Sequence, residues 1–152
     1  MGLILRLTTQ TDFALRTLMY LATFPGRATI GDVARLFGIS INHVAKVVNL
    51  LARVGYVRSI RGIGGGIELA INPGEVSIGE VIRTCDGNLH LLECVSAENV
   101  CGIQKFCKLK GVLAEAERIQ LEYLNSVMLA EVIPQRRQLE DASKSRSTSG
   151  LC

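Results

Sequence analysis

Between Thr29 and Ile71 the chain carries two short amphipathic repeats separated by one glycine, followed at once by two β-compatible runs around a glycine-rich tip. That order leaves few folds open. Thr29–Phe37 reads as a helix, with Thr29 as cap, Asp32 three residues on, and Ile30, Val33, Ala34 and Phe37 along one face. Gly38 supplies a tight left-handed turn, a backbone state glycine enters at no steric cost. Ser40 then caps a second helix to about Val54, with Ile41, Val44, Val47 or Val48, and Leu51 turned inward. Asn42, Lys46, Asn49 and Arg53 follow at offsets of four, three and four, so they share the outer face. Tyr56–Ile60 and Ile67–Ile71 are strand candidates, and Arg61-Gly62-Ile63-Gly64-Gly65-Gly66 between them reads as a hairpin loop.

A helix–turn–helix with a hairpin behind it suits double-stranded DNA. The major groove admits one α-helix, and such a helix reads bases with residues near its N-terminus. Ser40, Asn42 and His43 stand there, and Lys46 and Asn49 lie further along the same side. Asn can bond adenine through two hydrogen bonds, and Lys can reach guanine or phosphate. In a winged helix-turn-helix the hairpin lies along the DNA backbone. Arg58 and Arg61 then meet phosphates or a narrow minor groove, and Gly62, Gly64 and Gly65 permit close approach. The competing reading of the two helices alone is a solvated amphipathic pair. The glycine loop is a poor nucleotide cradle, because no Gly-Lys-Ser/Thr follows it and the next segment is a strand.

Charge agrees with this division. The net charge of +3 is unevenly placed: residues 1–75 hold eight Lys/Arg against four Asp/Glu, and residues 76–152 hold nine against ten. The basic excess lies in the front half, where a polyanion is expected. Few aromatics (four Phe, three Tyr, no Trp) argue against a base-stacking platform for single strands. With 48% apolar and 20% charged residues the chain can bury a core. The longest stretches without a charge, Thr17–Gly26 and Leu36–Ala45, are ten residues each, so no membrane span is expected. Met1–Leu7 has no secretory pattern, and a cytoplasmic location is expected.

Around this unit Thr11–Thr23 reads as a helix capped by Thr11, and Ser77–Thr84 as a short helix with a Ser77/Glu80 capping box. His90–Lys108 is an irregular loop. From about Leu109 to Val132 a long helix is expected, with Val112, Ala116, Ile119, Tyr123 and Val127 on one face. That is more length than a small domain needs for its own core. Pro134 stops it, and the polar, Ser-rich remainder is expected to be disordered. The fold class is therefore mainly α with a small β-hairpin. The divisions expected are 1–75 for DNA binding, 76–133 for the cysteine loop and long helix, and 134–152 for the tail.

Of five cysteines, three lie in one loop as Cys94-x6-Cys101-x5-Cys107. Zinc sites favour pairs two to four residues apart, and none occurs here. Wider spacings suit a larger object, an iron–sulfur cluster. Lys105, Lys108 and the start of the long helix add positive potential. Three cysteines leave one iron without a thiolate, which makes a cluster labile and open to small molecules. A thiol switch is the alternative, with Cys85 and Cys152 as resolving partners, and a zinc or thiol interaction module is a further one. His90, four residues before Cys94, reads as a hydrogen-bonded neighbour rather than a ligand. No nucleophile–base pair, nucleotide loop or carboxylate pair suggests an enzyme.

Several segments together resemble the Rrf-type winged-helix regulators that carry iron–sulfur clusters. They are Leu7-Thr8 with Thr11-Asp12-Phe13-Ala14-Leu15-Arg16, the stretch Asn42-His43-Val44-Ala45-Lys46-Val47-Val48, the tip Arg61–Gly66, and the three loop cysteines. Asn42-His43 with Lys46, Leu91-Leu92-Glu93-Cys94, and Cys107-Lys108-Leu109-Lys110 are most similar to the nitric-oxide-sensing repressors of that family. The resemblance implies a homodimer paired through the long helices and a promoter of two-fold symmetry. It implies an iron–sulfur cluster held by Cys94, Cys101 and Cys107, with 4Fe-4S favoured over 2Fe-2S and the number of irons left open. The fourth ligand would be Asp12 of the other subunit. It also implies release of DNA when nitric oxide destroys the cluster, with iron, cluster status or redox state as alternative signals.

Overall fold

Caps set where the helices begin. A computed structural model describes residues 7–87 and 90–149, with side chains through Ser145. Helix α1 runs over Thr9–Thr23. Its cap is Thr8, whose hydroxyl accepts from the Thr11 amide at 3.3 Å. The expected cap, Thr11, lies inside the first turn and is fully buried. The start moves forward because Asp86, 78 residues away, holds Thr8 from outside. Its Oδ2 accepts from the Thr8 amide at 3.0 Å, and its Oδ1 accepts from the Thr8 hydroxyl. No local pattern reveals such a partner.

Helix α2 (Ile30–Phe37) opens with a complete capping box. The Thr29 amide donates to Asp32 Oδ2 at 2.9 Å, and the Asp32 amide donates to Thr29 Oγ1 at 3.1 Å. Gly38 ends it in the left-handed region at φ 65°. Helix α3 (Ile41–Arg53) starts at Ser40, whose Oγ accepts from the His43 amide at 3.2 Å. Val44, Val47, Val48 and Leu51 are buried as expected. Ile41 is not: it is 61% exposed, because the first turn of α3 projects beyond the core.

Strands β1 (Val57–Ile60) and β2 (Gly66–Leu69) pair antiparallel, with Arg58 opposite Glu68 and Ser59 opposite Ile67. The α1–α2 connector joins their edge. Ala28 and Ile67 exchange backbone bonds of 2.9 and 2.8 Å. A Cβ at Gly66 would stand 2.5 Å from the Ala28 carbonyl oxygen, so glycine is required for the approach.

Helix α4 (Ile78–Asp86) has the expected Ser77/Glu80 capping box. A short α5 (Glu93–Ser96) and a 3₁₀ turn, Gln104–Phe106, break up the cysteine loop. The long helix α6 spans Lys108–Ser126 and ends earlier than the pattern suggests. There the chain becomes extended to pair with the segment before α4. The Ile78 amide donates to the Val127 carbonyl at 2.9 Å, and the Leu129 amide to the Val76 carbonyl at 2.8 Å. Val127 therefore leaves the helix instead of continuing its apolar face.

The polar stretch expected to be disordered forms helix α7, Arg136–Ser149. Its single apolar anchor, Leu139, is 9% exposed beside Leu36 of α2, and the Arg136 guanidinium lies 5.3 Å from the Phe24 ring centroid. Leu139 and the Arg136 cation–π contact are among the interactions that supply what composition does not. Leu36, which the sequence leaves off the inner face of α2, is buried too. A single hydrophobic core takes Ala14, Leu18 and Leu21 from α1, Val33 from α2, Val44 and Leu51 from α3, Val57 and Ile67 from the hairpin, and Val81 and Leu129 from beyond it.

Candidate nucleic-acid interface and metal centre

The outer face of α3 is what its periodicity dictates: Asn42, Lys46, Asn49 and Arg53 are all exposed. Ser40 and His43 are exposed too, but committed to each other. Ser40 Oγ lies 2.9 Å from His43 Nδ1, and the His43 ring packs at 5.8 Å against Phe13 of α1. His43 thus fixes the start of α3 against α1.

Of the two hairpin arginines, one is engaged. Arg58 bonds Glu68 on the paired strand, its Nε donating at 2.8 Å and its Nη2 also reaching Oε1. Half of the expected pair of phosphate-facing cations is thereby neutralised in the free protein. Arg61 is exposed at the tip and has no carboxylate partner among the described residues, like Lys46 and Arg53. Gly62 and Gly64 take left-handed φ values of 92° and 72°. A Cβ on Gly65 would meet the Ile60 carbonyl oxygen at 2.3 Å. Sequence reasoning missed Arg27. Its Nη1 donates to the Gly64 carbonyl at 2.6 Å, and only the folded connector brings them together.

Two side chains organise the cysteine loop. Gln104 Nε2 donates to the Cys94 carbonyl at 2.8 Å and to the Ala97 carbonyl, while its Oε1 accepts from the Val100 amide at 3.2 Å. Glu117 of α6 pins the loop's start, accepting from the Leu91 amide and meeting His90 Nδ1 at 3.2 Å. His90 is therefore a partner of Glu117. Cys94 and Cys107 are half-buried, Cys101 is exposed, and all three are free thiols. Cys107 is the residue from which α6 starts, and it contributes no side-chain cap. Cys101 and Cys107 border an open basin of about 890 Å³ that Lys105 and Lys110 also line.

The three sulfurs are not drawn together. Among the described residues no three His, Cys, Asp or Glu side chains lie close enough to share a metal ion. The donor set still fits an iron–sulfur cluster in kind. Three unpaired thiols share one loop, a basin stands beside two of them, and lysines offset the charge of thiolates. Such ligand sets commonly close only around the metal. Asp12 sits in the first turn of α1, half-exposed, with its Oδ1 2.8 Å from Arg16 Nε. The Arg16 guanidinium in turn lies 5.7 Å from the Phe37 ring centroid, beside the Gly38 turn.

Cys85 differs from the loop thiols. It is half-buried, and burial raises its pKa above the usual thiol range while a hydrogen bond from Thr11 opposes the shift. The Gln10 side chain donates to its carbonyl at 3.3 Å. Cys85 and Asp86 thus tie the stem of the cysteine loop to the first turn of α1. Cys152, the other expected resolving partner, and Asn88 lie outside the described residues. No helix among the described residues is long and apolar enough to cross a membrane.

Residues 7–135 match the Rrf2 family model, described as an iron-dependent transcriptional regulator. The chain is 39% identical over 132 residues to the HTH-type transcriptional regulator NsrR of Shouchella clausii, covering 85% of this chain and 89% of that one. It is 38% identical over 145 residues to NsrR of Geobacillus kaustophilus, covering 93% and 99%. Among solved structures, CymR, the global cysteine regulator of B. subtilis, superposes with a TM-score of 0.70 at 23% identity over 86% of this chain and 97% of that one. That likeness shows a shared fold. Family match and curated relatives together make this chain a member of the Rrf2 family of transcriptional regulators, DNA-binding proteins rather than enzymes.

Proposed function

We propose that the chain is a nitric-oxide-responsive iron–sulfur repressor that binds promoter DNA as a homodimer and lets go when its cluster is lost. One observation carries the reading: the stem of the three-cysteine loop is hydrogen-bonded, through Asp86 and Thr8, to the helix whose Phe13 touches the start of the recognition helix. A change in that loop therefore has a physical route to the reading surface.

Cys94, Cys101 and Cys107 would hold the cluster, with Asp12 of the other subunit as fourth ligand. When bound, the cluster would supply iron open to nitric oxide. The chain's own residues do the rest. Drawn toward a partner's loop, Asp12 leaves Arg16, and Arg16 no longer fixes the Asp12 turn from its place beside Phe37. Asn42 and Lys46 read bases, Asn49 extends that face, and Ser40 and His43 anchor it. Arg61 meets phosphates with Gly62, Gly64 and Gly65 at the tip, and Arg58 joins once it parts from Glu68. Two copies pair along α6, where Val112, Ile119 and Tyr123 are 64%, 54% and 67% exposed on one face. Half-sites on DNA recur about one helical turn apart, so a small rotation of one head spoils simultaneous docking.

Anaerobically purified protein should contain iron and acid-labile sulfide, and should shift a promoter duplex until nitric oxide is added. Absence of both iron and sulfide, or a shift that survives nitric oxide, refutes the reading. A metal-free thiol switch is the second reading, favoured by the exposed Cys101 and the separation of the three sulfurs. Colourless protein whose DNA affinity follows thiol oxidation would select it.

A further inference from the structure

We propose that Arg27 is the positioning residue of the wing, pinning its glycine-rich turn so that Arg61 is held where it meets the DNA backbone. The inference rests on the DNA-reading role proposed above for the hairpin.

Glycine brings the most backbone freedom of any residue, and Gly62, Gly64, Gly65 and Gly66 make up most of the tip. Inside the turn, order comes from one backbone bond, Gly65 amide to Gly62 carbonyl at 3.0 Å. From outside, it comes from Arg27. The Nη1–Gly64 oxygen bond of 2.6 Å is charge-assisted and spans 37 positions of sequence. Its delivery is built in. Ala28, the next residue, is bonded in both directions to Ile67, and the contact at Gly66 leaves no room for a side chain. Strand and connector therefore run together, and the guanidinium has a short path to the turn. At φ 72°, Gly64 holds a left-handed backbone that favours glycine, within the turn that offers its carbonyl to Arg27. Arg27 has no carboxylate partner among the described residues, unlike Arg58. Arg61, three residues before the pinned carbonyl, also has no carboxylate partner among the described residues. Without the pin, Arg61 would be carried on a turn closed only by its own glycines, and its contact with a phosphate would cost the ordering of that turn.

A double-mutant cycle tests this on the full chain. The probe is a duplex selected from random sequence by the wild-type protein, and affinity is followed against salt. Arg27→Gln is expected to weaken binding about five- to tenfold. It should also lower the magnitude of the salt slope by about one, as loss of a single phosphate contact does. Arg61→Gln should do the same. The double variant should be no weaker than the weaker single by more than about twofold, because both remove one contact. Gly64→Ala, which resists the left-handed turn, should reproduce Arg27→Gln and be non-additive with it. Losses that multiply, or an Arg27→Gln protein with unchanged affinity and slope, overturn the role of Arg27 alone. A wild-type chain that selects no duplex overturns the DNA-reading role of the hairpin and this proposal with it.

Discussion

A methyl group added at Gly65 would lie 2.3 Å from the Ile60 carbonyl oxygen and 2.8 Å from that of Gly62. Both are backbone atoms and cannot swing aside. Gly65→Ala is therefore expected to open the tip while leaving the core intact, and faster amide exchange at Gly65 and Ile67 with an unchanged melting temperature would show it. The cysteines separate by surroundings in the same way. Burial raises the pKa of the Cys85 thiol and shields it, while Cys101 stands in solvent. Iodoacetamide at pH 7 should label Cys101 well before Cys85, with peptide mass spectrometry reading the order. Equal rates would mean that Cys85 is not held under α1 as described.

Helix α2 is the element whose stability depends most plainly on protonation. Hydrogen bonds from the Thr29 side chain and backbone hold Asp32 below its ordinary value of 3.8, with Arg35 adding to them against desolvation. A carboxylate whose pKa is depressed by folding stabilises the folded state above its unfolded value. It loses that contribution as pH falls through the folded one. The gap in melting temperature between wild type and Asp32→Asn should therefore be constant at neutral pH and close below pH 3.8. This box was legible in the sequence because all its partners lie within four residues. So were the Ser77 box, the Gly38 turn and the outer face of α3. The start of α1 was not, since Asp86 caps it from a distant helix, and α7 was not, since its docking rests on Leu139 and Arg136 meeting α2 and Phe24. Arg27 escaped notice for the same reason. Local periodicity and caps are written in neighbouring letters, whereas a contact across tens of residues exists only once the core has formed.

At the scale of the whole molecule, α6 is about 28 Å long and packs one side on α4. Gly79 allows that approach, since a Cβ there would stand 2.1 Å from Asn125 Oδ1. The other side keeps its apolar stripe in water. If two copies pair along it, Ile119→Glu should place two like charges at the seam and shift the protein to a monomer in analytical ultracentrifugation, with operator affinity reduced at least about tenfold. A dimer that persists would move the interface elsewhere. The stripe itself was visible in the spacing of Val112, Ile119 and Tyr123, but the reach of the helix was overestimated because the pairing of Ile78 with Val127 cannot be read locally.

That same pairing has a broader result. Ser77 and Met128 face each other as a single bridge, so the span between them leaves and rejoins the core at one seam, and Asp86 ties it a second time at the start of α1. A handle held at both ends and again at Thr8 cannot swing freely, so a shift in its loop is carried into α1.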